Sequence, residues 1–161
     1  MFERTHDLER VRRLLSDPGI YGHVTDDFAP APHEFVVPDH PAIWYVAVTH
    51  AAHFPQRPPP VLGMFLFYPQ NAICWDVHVA FRRGTLPHFT RAAGAGILAW
   101  LWARTPCLRI EAAVPICNRA ALRYGVDARG MALIPYAVRP PSFAKRGRVW
   151  PQVLMGRSRG T

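Results

Sequence analysis

The chain lacks the features that would assign it to a membrane-spanning, secreted or disulfide-stapled class of protein. No apolar run approaches the roughly 18 residues that a membrane span needs. The segment Met1–Arg4 carries charges where a secretion signal has an apolar core. The cysteines at Cys74, Cys107 and Cys117 are an odd number without close paired spacing, which indicates reduced core thiols. We therefore expect a soluble, cytoplasmic protein without membrane contacts.

Metal-ligand patterns and internal repeats are also missing. The histidines, His50 and His53 among them, lie at irregular spacing without a third ligand, so we expect no metal site. The chain has 161 residues, of which 50% are apolar, and this fits a single domain, 1–161, with a substantial core. The basic segment 156–161 is expected to form a short mobile tail.

Acidic residues are scarce relative to basic ones. There are 11 Asp and Glu against 19 Lys and Arg, which gives a formal net charge of +8. Such a balance favours contact with a phosphate-bearing ligand, a nucleic acid or an acidic protein surface. The arginines are dispersed along the chain, and no zinc-finger spacing or aromatic-basic RNA motif accompanies them. This pattern disfavours direct recognition of nucleic acid.

The segment from Ile73 to Phe81 alternates as a strand does. This alternation places the side chains of Trp75, Val77, Val79 and Phe81 on one face of the strand. The other face receives Asp76, His78 and Ala80. The basic loop Arg82–Thr85 breaks the strand, and apolar residues then recur at helical spacing from about His88 to Arg104. A helix start beside arginines attracts phosphate.

A second strand and a second helix follow. The segment Leu108–Pro115 alternates again, and Asn118–Tyr124 opens another helix before Gly130. Upstream, the apolar segments Ala42–Val48 and Val61–Tyr68 are predicted to form an antiparallel meander with the strand that carries His78.

The remaining segments are less regular. Thr5 is predicted to cap a first helix that ends at Pro18-Gly19. The proline-rich segment 55–60 is predicted to form a stiff turn. Near the end, 130–137 is predicted as a strand, 139–141 as a break, and 149–155 as a closing edge strand.

The order of these elements resembles a known family. Strand, basic loop, helix, strand, then "VPICNRAALRY" and "ARGMAL", is similar to the core of the GNAT acyl-CoA N-acyltransferases. The combination of "DVHVAF", "ILAWLW" and "VPICNRAALRY" resembles a phage-encoded branch, some members of which carry a head-assembly label. The resemblance implies a three-layer α/β (α+β) fold. It has a mixed, mostly antiparallel sheet of about six to seven strands, flanked by helices and splayed at its centre.

The resemblance also implies a site for acyl-CoA. The end of the first strand would hold the pantetheine arm through Val79, Ala80 and Phe81. The loop and the helix start would take the phosphates through Arg82, Arg83, Gly84, Thr90 and Arg91. Asn118 would face the thioester or act as a plain helix cap.

Two positions depart from the family pattern. The loop lacks the family's second glycine, and Pro87 removes one amide donor. The family's frequent general acid, a tyrosine, falls on Gly125, with Tyr124 one residue earlier. One residue rotates a helical side chain by about 100 degrees, so Tyr124 is either a displaced acid or a packed aromatic.

Asp76 and His78 form the best pair for acid-base chemistry. They lie two residues apart on one strand face, within reach of one substrate amine. A histidine near neutral pKa can take the ammonium proton directly or through water. The alternative is that His78 is a packed, hydrogen-bonded residue and Asp76 a surface charge.

Two functions remain compatible with the sequence. The first is transfer of an acetyl or other acyl group from CoA to a primary amine, with the residues 20–41 and 51–60 shaping the acceptor site. The second is a catalytically degenerate GNAT-fold component of a bacteriophage particle, with phage structural proteins as partners. The location would then be the bacterial host cytoplasm or the virion.

Overall fold

A computed structural model describes residues 1–49 and 60–160. These residues form seven strands, β1 Phe2–Thr5, β2 Trp44–Thr49, β3 Val61–Pro69, β4 Cys74–Phe81, β5 Arg109–Pro115, β6 Ile134–Lys145 and β7 Arg148–Ser158. They also form four helices, α1 Leu8–Leu15, α2 Pro18–Val24, α3 Pro87–Trp102 and α4 Arg119–Val126. None of these helices is long and apolar enough to span a membrane.

The strands form one seven-stranded sheet in the order β1-β2-β3-β4-β5-β7-β6. Neighbouring strands are antiparallel throughout, except for β4 and β5, which are parallel. The predicted meander of β2, β3 and β4 is confirmed. The mixed, mostly antiparallel sheet flanked by helices is also the fold class that the sequence predicted.

The sheet opens at its centre, between β4 and β5. These strands pair only from Cys74 opposite Arg109 to Asp76 opposite Glu111. Beyond that point β4 continues to Phe81 along β3, while β5 continues to Pro115 along β7. The two strands therefore diverge, as predicted, and leave a wedge-shaped gap in the middle of the sheet.

Two apolar cores cover the two faces of the sheet. On the face with α3, Val77 packs with Phe65, Phe67 and Ile97. On the face with α1 and α2, Ala80 packs with a smaller set of buried side chains, including Val11, Leu14, Ile20 and Met64. The alternation predicted for β4 is thus correct. Each fully buried Leu or Phe contributes about 1.5–3 kcal/mol relative to an exposed one.

The N-terminal region differs from the prediction. Thr5 is part of β1, and the carboxylate of Asp7 caps α1 by accepting from the Arg10 amide at 2.9 Å. Pro18 does not end a helix but begins α2, which is capped by Asp17. Proline suits a first helical position because the amide it lacks would have no partner inside the helix.

The C-terminal region also differs. The strand predicted from Gly130 begins at Ile134, and β6 runs through Pro140 and Pro141 with an irregular register between Arg139 and Phe143. An edge strand tolerates such prolines because one side of it makes no ladder bonds. That edge is β6, not the predicted 149–155, because β7 lies between β5 and β6.

The basic tail begins later than the predicted residue 156. Residues 156–158 belong to β7 and pair with β5. The predicted turn around 55–60 lies almost wholly outside the described residues, as do His50 and His53.

Close contact between α3 and the α4 region requires a glycine at position 94. A Cβ at Gly94 would lie 2.8 Å from the Tyr124 hydroxyl and 3.1 Å from the Met131 amide nitrogen. In contrast, a Cβ at Gly22 in α2 would have no atom within 4 Å. We expect Gly94→Ala to lower the free energy of unfolding by about 1–3 kcal/mol through overpacking. Gly22→Ala should leave it unchanged or raise it by up to about 1 kcal/mol.

Urea denaturation of the two variants measures this difference. Equal stability of Gly94→Ala and the parent chain would contradict the close packing of α3 against α4.

Candidate functional site

A cavity of about 630 Å³ lies in the gap between β4 and β5. It reaches both faces of the sheet, since His78 lines it from the side of α1 and α2, and Tyr124 from the side of α3. Its wall includes Val77, Val79, Ala112, Ala113, Val114, Asn118, Met131 and Leu133. The cavity therefore passes through the sheet where the strands separate.

Backbone groups of β4 point into the gap. The Arg82 amide donates to the Leu62 carbonyl at 2.8 Å, which fixes Arg82 as a residue bonded to β3. Hydrogen-bonded positions alternate along an antiparallel pair. The Ala80 backbone therefore faces β3, while the amide and carbonyl groups of Val79 and Phe81 face the gap. Of the three predicted pantetheine contacts, two have their backbone in the gap and Ala80 does not.

The same reasoning identifies Ala113 on β5. The Arg159 amide donates to the Leu108 carbonyl at 2.7 Å, and the Ile116 amide to the Pro151 carbonyl at 3.1 Å. Even-numbered residues of β5 thus bond to β7, and the backbone of Ala113 faces the gap. Ala113 was not among the predicted site residues. The alternation along β5 predicts two sets of residues, but only the pairing of β5 with β7 shows which set directs its backbone into the gap.

Among residues 1–49 and 60–160, the backbone groups of Val79, Phe81 and Ala113 that face the gap have no neighbouring strand to bond with. Buried amides and carbonyls without partners cost free energy unless water or a ligand satisfies them. The gap is therefore suited to an extended ligand that carries its own amide groups and adds to the sheet as a strand would.

The basic loop leads from β4 to the start of α3. Gly84 has a φ of 85°, a left-handed conformation that favours glycine. The Phe89 and Thr90 amides both donate to the Leu86 carbonyl, at 3.0 and 3.1 Å. Pro87 occupies the first turn of α3 and brings no amide, as the sequence indicated. Within the described part of the chain, the His88 amide has no acceptor and remains available.

Two of the three predicted loop and helix arginines are paired with acids. The Arg82 guanidinium donates to Asp17 at 2.9 Å and to the Val61 carbonyl at 3.0 Å. Arg91 donates to Asp127 at 2.7 Å. Arg83 is exposed and forms no ion pair among the described residues, so it is the loop arginine most available to an anion.

Thr90 and Asn118 have structural partners. The Thr90 hydroxyl donates to the Pro87 carbonyl at 3.0 Å within the first turn of α3. Asn118 caps α4, where its Oδ1 accepts from the Ala121 amide at 3.1 Å. Its Nδ2 donates to the His23 carbonyl at 3.4 Å. Asn118 therefore joins α4 to α2 across one end of the cavity that it lines.

His78 is an exposed residue that lines the cavity, and protein atoms surround much of its ring. Its ring packs edge-on against Tyr68, with 5.6 Å between ring centroids. The low hydration of this position lowers the pKa of His78, and the nearby Asp76 carboxylate offsets part of that shift. His78 is therefore neutral, and able to accept a proton, near pH 7.

Asp76 shares a face with His78, as predicted, but it is not part of the cavity wall. It lies where the pairing of β4 with β5 ends, and its carboxylate accepts a hydrogen bond from the Gln70 side chain. Its effect on the cavity is therefore electrostatic and acts through His78.

Tyr124 packs in the wall of the cavity. Its hydroxyl donates to the Thr90 carbonyl at 3.0 Å, and its ring packs on Phe81 with 5.9 Å between centroids. Burial raises the pKa of Tyr124, so the hydroxyl stays protonated. At the next position, a Cβ on Gly125 would lie 2.5 Å from the Met155 sulfur, so a larger residue does not fit there.

The β6–β7 hairpin contributes wall residues that the sequence did not reveal. The Asp27 carboxylate accepts from the Arg146 and Gly147 amides, both at 2.9 Å. The Lys145 ammonium donates to the Thr25 carbonyl at 2.6 Å. These bonds hold the hairpin tip against the segment after α2, and this contact joins residues about 120 positions apart in sequence.

No group of three or more potential metal ligands occurs among residues 1–49 and 60–160.

Several solved structures that share this fold are acetyltransferases. Spermidine N-acetyltransferase from Vibrio cholerae, in complex with CoA and spermine, aligns with a TM-score of 0.75 at 12% identity, covering 98% of this chain and 94% of that one. Ribosomal-protein-alanine N-acetyltransferase from Brucella melitensis aligns with a TM-score of 0.69 at 11% identity, covering 99% of both chains. The chain therefore has the fold of GNAT acetyltransferases. No protein-family model and no curated protein matches its sequence.

The environment of His78 leads to a prediction about its protonation. Its pKa should lie below the usual value near 6.5, and Asp76→Asn should lower it further by removing the carboxylate that favours the imidazolium. An NMR titration of the imidazole, assigned with His78→Gln, measures both values. A pKa that rises in Asp76→Asn would contradict the electrostatic coupling of the two residues.

Proposed function

We propose that the protein transfers an acetyl group, or another acyl group, from CoA to a primary amine. The observation that carries this proposal is the gap between β4 and β5, where Val79 and Ala113 line an open cavity and direct their backbone groups into the gap. The Phe81 backbone faces the same gap beyond the cavity wall. A pantetheine arm carries two amides, so it can bond to both strand edges as an added strand. The solved structures of the same fold support this function, and one of them binds CoA.

The phosphates of CoA would bind where β4 leads into α3. Arg83, the positive-φ turn at Gly84 and the His88 amide offer a cation and donors at a helix N-terminus. Thr90 and Arg91 lie in the first turns of the same helix. Asp17 and Asp127 neutralise part of the charge of Arg82 and Arg91. We therefore propose that Arg83 contributes most of the electrostatic attraction for the CoA phosphates.

His78 would act as the general base. It takes a proton from the acceptor ammonium, directly or through water, and the free amine attacks the thioester carbonyl carbon. The carbon–sulfur bond breaks, the new amide forms, and the departing thiolate takes up a proton. Asp76 would raise the affinity of His78 for the proton without contacting the substrate.

Tyr124 has two possible roles in this scheme. It lines the cavity and stays protonated, so it can supply the proton to the thiolate. Its bond to the Thr90 carbonyl, however, already uses that proton and fixes the packing of α4 on α3. We favour the packing role.

The alternative function, a degenerate component of a phage particle, has no support from the two acetyltransferase structures. The open gap also disfavours this alternative. Unpaired strand edges cost free energy, and a site that binds no ligand gains nothing in return.

Binding of acetyl-CoA is the first prediction of this proposal. The ligand should raise the melting temperature in a concentration-dependent way, by the equivalent of about 2.7 kcal/mol at a hundred times the dissociation constant. A flat response at saturating acetyl-CoA would remove the transferase proposal.

A pair of proline substitutions tests whether the gap holds the ligand. The Ala113 amide faces the gap, so Ala113→Pro should weaken acetyl-CoA binding by up to about tenfold while the fold persists. The neighbouring Ala112 amide bonds to β7, so Ala112→Pro should instead destabilise the fold. Calorimetric titration and thermal unfolding separate the two effects.

The assignment of His78 is tested by His78→Gln beside Tyr124→Phe. His78→Gln should lower turnover by about a hundredfold or more, with nearly unchanged binding of CoA. Tyr124→Phe should lose less than about tenfold in turnover and about 1 kcal/mol in stability, because one hydrogen bond is lost. For the parent chain, kcat/KM should rise with pH through the lowered pKa of His78 and level off above it.

These outcomes are read from the release of free thiol with acetyl-CoA and an amine. Turnover equal to that of the parent chain in His78→Gln would show that His78 does not take the proton. A loss of turnover in Tyr124→Phe greater than the expected tenfold would assign the acid role to Tyr124.

A further inference from the structure

One wall of the cavity is basic. The β6–β7 hairpin contributes Lys145, Arg146 and Arg148 to it, and the end of α2 contributes His23. None of the residues that line the described cavity is an aspartate or a glutamate. The segment 50–59, which the structure does not describe, contains neither residue type in its sequence, so it has no acidic side chain to add.

The sheet register places these cations on the same face as His78. Val153 and Met155 pack into the core on the side of α3, so the alternate β7 residues point to the other face. Arg148 pairs with Lys145 and Trp150 with Phe143, and paired residues share a face. The basic wall is thus on the side of α1 and α2, whereas the loop around Arg83 leads to the N-terminus of α3 on the opposite side.

The hairpin cations retain capacity for a ligand. Lys145 donates one hydrogen bond to the Thr25 carbonyl and has two further donors. Arg148 forms no ion pair within the described residues. The Asp27 carboxylate accepts from the Gly147 and Arg146 amides, which hold it against the hairpin backbone. These bonds and the charge of Lys145 lower the pKa of Asp27, so the carboxylate offsets part of the Lys145 charge but uses neither of the two remaining Lys145 donors.

We propose that the acceptor amine carries an anionic group, a carboxylate or a phosphate, which binds Arg148 and Lys145 while the amine reaches His78. This substrate class rests on the transferase function proposed above. The aromatic side chains of Phe143 and Trp150, which line the same wall, offer an apolar surface for the carbon chain between the two groups.

A polyamine fits this wall poorly. Spermine, which the Vibrio cholerae enzyme binds, would bring additional ammonium groups against like charges. Each such pair costs about 1 kcal/mol at 4 Å even in bulk water, and more where water is excluded. A carboxylate or phosphate instead gains charge-assisted hydrogen bonds.

The test compares matched acceptors with the full chain and acetyl-CoA. Thiol release is measured with phosphoethanolamine against ethanolamine, with γ-aminobutyrate against butylamine, and with spermidine. The anionic member of at least one pair should have a kcat/KM higher by about tenfold to a hundredfold, the range expected for a hydrogen bond to a charged group. The pair with the larger ratio distinguishes a phosphate from a carboxylate.

Three variants test whether Arg148 causes the preference for anionic amines. Arg148→Gln should lower the ratio of kcat/KM for the anionic amine to kcat/KM for its neutral partner by about tenfold. Arg148→Glu should reverse the preference toward spermidine. Arg123→Gln, at an exposed position of α4 outside the cavity wall, makes the same change of charge and should leave the preference as it is.

Binding of CoA, measured by calorimetry on the same samples, separates the two proposals. A protein that binds CoA but uses neutral amines or spermidine as well as the anionic ones overturns the acceptor assignment and leaves the transferase proposal standing. Binding of CoA without reaction of either anionic amine also overturns the assignment. Absence of CoA binding overturns the transferase proposal and, with it, the acceptor class.

Discussion

The short parallel pairing of β4 with β5 is the constraint on which the rest of the molecule depends. β4 keeps a full antiparallel partner in β3, and β5 keeps one in β7. Neither strand therefore needs continuous pairing with the other for stability. Pairing ends at Asp76 opposite Glu111, and the strands then follow their own partners apart. Two hydrogen bonds connect the elements on either side of the opening, one from Asn118 to the His23 carbonyl and one from Lys145 to the Thr25 carbonyl.

Because the opening passes through the sheet, it gives one ligand access to both faces. His78 reaches the cavity from the face of α1 and α2, and Tyr124 reaches it from the face of α3. A thioester bound in the gap as proposed would thus have the His78 imidazole on one side and the N-terminus of α3 on the other. In the proposed reaction, this separation would let two substrates enter from opposite sides without competing for one surface, which would favour direct transfer between them.

Local patterns in the sequence were sufficient for the centre of the fold. Period-two alternation assigned Val77 and His78 to opposite faces of β4, and this is correct. Proline signals were ambiguous, because a proline marks the start of a helix as readily as its end, and Pro18 does the former. Ion pairs across the fold were invisible, since Arg82 and Asp17 are 65 residues apart. The availability of each loop arginine could therefore not be predicted from its presence in the loop.

The distribution of charge in the folded protein also could not be predicted from the sequence. Along the chain the basic residues are dispersed, which indicates a solvated surface, and the net charge of +8 points to no particular location. Folding changes this, because the carboxylate of Asp27 holds the tip of the β6–β7 hairpin from about 120 residues away. The register that buries Met155 on one face turns Arg148 toward the cavity on the other. A packing requirement thus sets the electrostatic character of this cavity wall, and a change in the pairing of β5 with β7 by one residue would turn Arg148 to the other face.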